Sequence, residues 1–168
     1  MQQLINRKIK FRERFRPFAP AVLAEDAADY FEVGTASPYM LFVAPVKKSL
    51  RCIGKNNTAT LTERLYQQRS SVPAITHVDY SARLQTVHRS LHPKFWGLIN
   101  SFKKLTGCSM LINTSFNVRG EPVVNTPVDA WLAFMRTEMD YLVMGNYVFE
   151  RVRQTALPAE LFPVFESD

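Results

Sequence analysis

The sequence predicts an α/β or α+β fold, a sheet with helices covering it. Three observations carry that prediction. Strand-like stretches alternate along the chain with stretches whose apolar residues recur at helical spacing. Two helices are marked at their ends, one by Pro93 and Gly107 and one by Thr126 and Pro127. The chain has 168 residues, 46% of them hydrophobic and 21% charged, enough for one compact domain with a real core. No internal repeat, low-complexity tract or domain boundary interrupts it, so residues 1–168 read as a single domain.

In chain order, the first element lies in KIKFRERFRPF, residues 8–18. Lys8, Lys10, Arg12, Arg14 and Arg16 are every second residue, with Ile9, Phe11 and Phe15 between them, so residues 7–16 predict a strand with one basic and one apolar face. Pro17 and Pro20 then interrupt regular pairing. AEDAADYF, residues 24–31, predicts a short helix ending before Gly34, and MLFVAPV, residues 40–46, a strand of the buried type. Residues 47–72 are polar and hold Gly54, Asn56 and Asn57; they predict a long loop or insertion with a short helix near Thr62–Gln68. Residues 74–87 are strand-rich. The clearest helix follows: Pro93 suits its first turn, Phe95, Leu98, Ile99, Phe102 and Leu105 recur at helical spacing, and Gly107 stops it. CSMLINTSFN, residues 108–117, predicts a strand running into a turn at Arg119-Gly120. Thr126 then offers an N-cap, Pro127 a first helical residue, and Trp131, Phe134 and Met135 an apolar face. Residues 141–152 are strand-like around Gly145-Asn146, and residues 153–168, with Pro158 and Pro163, form a tail suited to packing on another domain.

Charge narrows the function classes. The formal net charge is +6, and six of the 21 basic residues fall between Arg7 and Arg16, against one acid, Glu13. Excess this local points to an anionic partner, either nucleic acid or a phosphate-bearing small molecule, although a basic edge strand that resists unwanted pairing would look the same. No apolar run approaches the roughly 20 residues of a membrane helix, and the basic N-terminus lacks the apolar stretch of a signal peptide. Cys52 and Cys108 are too few for a disulfide scaffold or a four-thiolate metal site, so a reducing, cytoplasmic setting is expected.

Three stretches hold residues suited to chemistry. In a strand, Lys10 and Arg12 would project from one face about 6–7 Å apart, a spacing suited to gripping a phosphate with a compact point charge and a planar fork. In INTSFNVRGEP, residues 112–122, Thr114, Ser115 and Asn117 stand where a strand enters a turn, and Gly120 permits a close backbone approach. Such a turn offers hydroxyls, an amide and backbone N–H groups to a phosphate or an acyl carbonyl; it also serves simply to end a strand. In THVDYSARLQTV, residues 76–87, His77, Asp79, Ser81, Arg83 and Gln85 would share one strand face, as a site or as a structural polar network. His88 and His92 read as surface or packing residues. Neither a P-loop nor a G-x-G-x-x-G motif is present.

Together these stretches resemble a known family. The K-x-R of Lys10 and Arg12 with the S-x-N of Ser115 and Asn117 resembles the signature of YrdC-like domains, and NTSFNVRGEP is similar to that family's T-S-x-N-x-x-G-E-P turn. FRERFRPFAP, THVDYSARLQTV and INTSFNVRGEP resemble a narrower group, the C-terminal domain of bacterial O-carbamoyltransferases, which includes nodulation-factor and antibiotic-tailoring enzymes. The likeness runs from about Asn6 to about Arg151. Phe116 and Arg119 stand where the broader YrdC-like turn often has small residues, which suits the carbamoyltransferase branch better than the tRNA-modifying one.

The resemblance implies an open, twisted, mixed sheet with flanking helices and a concave basic face. It implies that carbamoyl phosphate and ATP combine to give carbamoyl adenylate, with Mg²⁺ carried mainly by phosphates and water. It implies a longer enzyme in which an N-terminal domain of the actin-like fold, holding a metal, passes the carbamoyl group to an acceptor hydroxyl. In this scheme Lys10 and Arg12 hold phosphate groups or the carbamate oxygen, and Arg83 takes another phosphate oxygen from a neighbouring strand. Thr114, Ser115 and Asn117 fix the carbamoyl or α-phosphate end, and Arg16 and Arg119 are further candidates for the anion site. The scheme requires the Lys10/Arg12 and Ser115/Asn117 segments to meet. Two other readings stand beside it: an RNA-binding or tRNA-modifying module, for which no aromatic-rich binding signature is present, and a non-catalytic domain docking an acidic partner.

Overall fold

The computed structural model describes residues 1–52, 60–158, 160 and 162, so Gly54, Asn56 and Asn57 of the expected insertion lie outside the described residues. The chain forms two compact units: Gln3–Arg16 with Ser115 onward, and Pro17–Thr114. The architecture is α+β, with small sheets and several helices.

The second unit is built on β1 (Ala19–Leu23), whose five residues are all buried. β1 pairs in parallel with β4 (Gln85–Val87) and antiparallel with β5 (Met110–Asn113), which makes a mixed three-stranded sheet in the order β4-β1-β5. Pro20 is tolerated inside β1, where it lies opposite Ile112. The long helix α4 (Pro93–Thr106) covers this sheet: Ile99 joins Ala21, Leu23 and Val87 in one core cluster, with Phe95, Trp96 and Leu111 packed against it. Gly107 ends the helix in the left-handed region at φ 77°, a conformation that favours glycine. Leu98 and Leu105, at helical spacing but on another face, are exposed. The helix expected at residues 24–31 is a 3₁₀ turn, Ala24–Asp26, followed by the short α2 (Ala27–Tyr30).

A second small sheet pairs β2 (Val43–Pro45) with β3 (Ser81–Arg83). Here the sequence reading of residues 40–46 as a buried strand needs correction. Only three residues are strand, they alternate exposed, buried, exposed, and Leu41 and Phe42 before them are exposed. The helix expected near Thr62–Gln68 is α3 (Leu61–Tyr66), started by a Thr60–Glu63 capping box.

In the first unit, residues 7–16 are not a strand. Helix α1 (Gln2–Lys8) takes the start of the basic stretch, and residues 9–16 follow as irregular chain in which Phe11 has φ 47°. Helix α5 (Pro127–Arg136) begins with a full capping box between Thr126 and Asp129. It packs against the hairpin of β6 (Tyr141–Met144) and β7 (Tyr147–Glu150), joined by Gly145-Asn146. Ala130, Phe134, Met135 and Leu142 form the core there. Leu157 and Phe162 of the tail pack on this same cluster.

Candidate active site

The site assembles in the first unit, around the irregular segment after α1. Asn6 organises it. This side chain is fully buried and donates through Nδ2 to the carbonyls of Arg14 at 3.3 Å and Arg16 at 2.9 Å. Its Oδ1 accepts from Arg12 Nε at 2.6 Å, and its backbone carbonyl accepts from the Arg12 N–H at 3.0 Å. One amide thus satisfies backbone groups that a strand partner would otherwise take. The same bonds bend the chain, so Lys10 and Arg12 are not placed by strand pleating.

Lys10 turns inward. It is 5% exposed, and its ammonium lies 2.9 Å from the Ser115 carbonyl, 2.5 Å from the Asn117 carbonyl, 2.8 Å from Asn117 Oδ1 and 3.4 Å from Ser115 Oγ. An ammonium has three protons, and those distances commit them to the turn after β5. Burial, reinforced by the nearby Arg12 and Arg16, lowers the Lys10 ammonium from its ordinary 10.5 to about 8. Burial and Arg16 lower the Arg12 guanidinium too.

The turn itself is stiff. Ser115 Oγ donates to Asn117 Oδ1 at 2.6 Å, and Asn117 Nδ2 donates to the Glu121 carbonyl at 2.8 Å. Gly120 sits at φ 77° within the turn closed by the Glu121 N–H and the Val118 carbonyl. The Glu121 carboxylate, 6% exposed, accepts from the Val118 N–H and pairs with Arg136 of α5. The capped helix therefore anchors the turn from behind.

Four of the candidate residues thus come together. Lys10 touches Ser115 and Asn117 directly, and Arg12 is tied to the same segment through Asn6. Arg16 and Arg119, both about half exposed, face one carboxylate, Glu13, at 3.8 Å and 3.6 Å. A hydrogen bond to its own backbone, then Arg119, Arg16 and Arg12, hold the Glu13 carboxyl below its ordinary range. Arg83 and Thr114 belong to the other unit: Arg83 is exposed at the end of β3 opposite Val43, and Thr114 is exposed just past β5. No strand exists in residues 9–16 for Arg83 to neighbour.

The polar row of residues 77–85 is also corrected. His77 and Asp79 gather with Ser81, the first residue of β3, around a turn in which Tyr80 has φ 63°. Ser81 donates to Asp79 Oδ1 from Oγ at 2.6 Å and from its backbone N–H at 3.0 Å, and His77 Nδ1 lies 2.9 Å from Ser81 Oγ. The serine proton is directed at the aspartate, so the cluster fastens a turn instead of activating a nucleophile. Gln85 instead bridges elements, donating to the Pro38 carbonyl and accepting from Asn113.

Sequence reasoning missed Asn6, Glu121 and Arg136. Glu121 stands in the quoted G-E-P turn, but nothing in the sequence marks Asn6 as the hinge of the basic segment. Among the described residues, no group of three or more His, Cys, Asp or Glu could hold a metal ion, and no helix is long and apolar enough to cross a membrane.

Comparison with known proteins places the chain. The family model described as carbamoyltransferase C-terminus matches residues 1–151. An uncharacterized protein of Synechocystis, sll1178, is 55% identical over 156 residues, covering 92% of this chain and 25% of its own length. The nodulation protein NolNO of Sinorhizobium fredii is 41% identical over 93% of this chain and 20% of its own length. The nodulation protein NolO of Bradyrhizobium diazoefficiens is 42% identical over 88% of this chain and 24% of its own length. This chain spans a quarter or less of each of those three relatives. It belongs to the carbamoyltransferase C-terminal family.

Proposed function

We propose that this chain activates carbamoyl phosphate with ATP, forming carbamoyl adenylate for transfer to an acceptor hydroxyl by the rest of a longer enzyme. In this reading water releases phosphate from carbamoyl phosphate, leaving carbamate. A carbamate oxygen then attacks the α-phosphorus of ATP, and pyrophosphate leaves. Such a reaction asks the protein mainly to hold two anions together and neutralise developing charge.

The observation that carries the reading is the meeting of Lys10 with Ser115 and Asn117 beside Arg12, Arg16 and Arg119. Lys10 spends its hydrogen bonds on the turn and lends its charge from beneath. The guanidinium groups of Arg12, Arg16 and Arg119 supply planar forks for phosphate oxygens. Ser115 Oγ, about at the surface of the turn, orients the carbamate end. Mg²⁺ would enter as an ion carried by the triphosphate, since the described carboxylates do not cluster to hold it. A cytoplasmic setting, where ATP is available, belongs to the same reading.

The test is incubation of the chain with ATP, Mg²⁺ and carbamoyl phosphate, followed by detection of pyrophosphate and carbamoyl adenylate. Both products are expected, with loss of both in Arg12→Ala. Absence of both products, together with no calorimetric binding of ATP or carbamoyl phosphate, would reject the reading.

A further inference from the structure

The basic segment contains one acid, and its placement is informative. Glu13 sends Oε1 to within 3.6 Å of the Arg119 guanidinium and Oε2 to within 3.8 Å of that of Arg16. We infer that Glu13 is an internal counter-anion that sets the site's affinity by competing with incoming phosphate groups for Arg16 and Arg119. This rests on the anion-binding reading above.

Three features favour competition over a scaffolding role. First, both contacts are longer than a direct N–H···O bond, so the carboxylate balances charge without fixing either fork. Second, the segment's course is set elsewhere. Asn6 holds the carbonyls of Arg14 and Arg16, and the Arg16 N–H donates to the Glu13 backbone carbonyl, not to its side chain. Third, the three side chains are 45–55% exposed, so a phosphate can reach the guanidinium groups while the carboxylate exchanges the hydrogen bond to its own backbone for water. A phosphate oxygen pair offers each fork two short, charge-assisted bonds that the glutamate does not make. The carboxylate is therefore a weak resident that a stronger anion displaces, and its presence lowers the affinity for weaker ones.

The experiment titrates pyrophosphate calorimetrically into the wild-type chain, Glu13→Gln and Glu138→Gln at one ionic strength. Glu138 is the control: its carboxylate pairs with Lys8 at 2.5 Å, so its loss changes net charge equally without touching Arg16 or Arg119. Glu13→Gln is expected to bind pyrophosphate about threefold more tightly, with the gain shrinking as salt rises. Glu138→Gln is expected to match wild type. Unchanged or weaker binding by Glu13→Gln overturns the inference, as does equal tightening in both variants, which would be a whole-molecule charge effect. If the wild-type chain binds no pyrophosphate, the anion-site reading falls and this inference with it. Wild-type binding with an unmoved Glu13→Gln removes only the role of Glu13.

Discussion

Strand β1 and the segment just before it, residues 9–16, are neighbours in sequence held by opposite kinds of force. All five residues of β1 are buried, Val22 and Leu23 completely, and the strand is clamped by ladders on both sides. In residues 9–16 only Lys10 is buried, and five of the eight are exposed. That segment is hooked in place through the side chains of Asn6 and Lys10. An apolar core spreads its stabilisation over many small contacts, so damage is graded. A polar hook concentrates it in a few directional bonds, and losing one partner leaves the others unsatisfied.

The contrast can be broken at either end. Leu23→Ala should cost about 3 kcal/mol of stability through the cavity left in the sheet core. Denaturant unfolding would show this, while pyrophosphate affinity below the transition stays at the wild-type value. Asn6→Ala should cost less, about 2 kcal/mol, by orphaning the Arg14 and Arg16 carbonyls, yet lower pyrophosphate affinity about tenfold. If Leu23→Ala weakened binding as much as Asn6→Ala, the division between packing and hooking would be wrong.

Thr126→Ala removes the cap of α5 and should cost about 1 kcal/mol, read from the unfolding midpoint. Because α5 anchors the turn through Arg136 and Glu121, a small loss of anion affinity should accompany it. pH acts on the same site through Lys10. The folded value of Lys10, about 8, lies below its ordinary 10.5, so the protonated form costs stability below about pH 8. As pH rises from about 8 towards 10.5 the cost is relieved and this group's contribution to stability improves. Anion affinity should move the other way, falling a few-fold as the charge disappears. Unfolding and pyrophosphate titrations on either side of pH 8 would reveal the opposed trends, and parallel trends would contradict them.

Much of the fold was legible because it depends on local chemistry. Gly107 ends α4 and the Thr126-Pro127 pair starts α5, since caps are set by the residues that make them. The strand-like stretch read around Gly145-Asn146 is a hairpin that turns at that pair. The basic segment misled because period-two alternation describes spacing in sequence alone. Whether such a stretch becomes a strand depends on a partner ladder, and here Asn6 supplies the backbone's hydrogen bonds first. The meeting of Lys10 with Ser115 and Asn117 was anticipated from the family likeness. The inward commitment of Lys10 was not, because a lysine bound to carbonyls and one bound to phosphate look the same in sequence. Leu98 and Leu105 show the related limit: helical spacing identifies faces, but only the neighbouring sheet selects the buried one.

Leu157 and Phe162 rest on the aromatic cluster where Trp131 meets Phe149, although the match to the family model ends at residue 151. A fragment trimmed to that limit would lose two lids from its own core. Clumping by such a truncated product would reflect the cut, and any study of isolated pieces should keep the chain through at least Phe162.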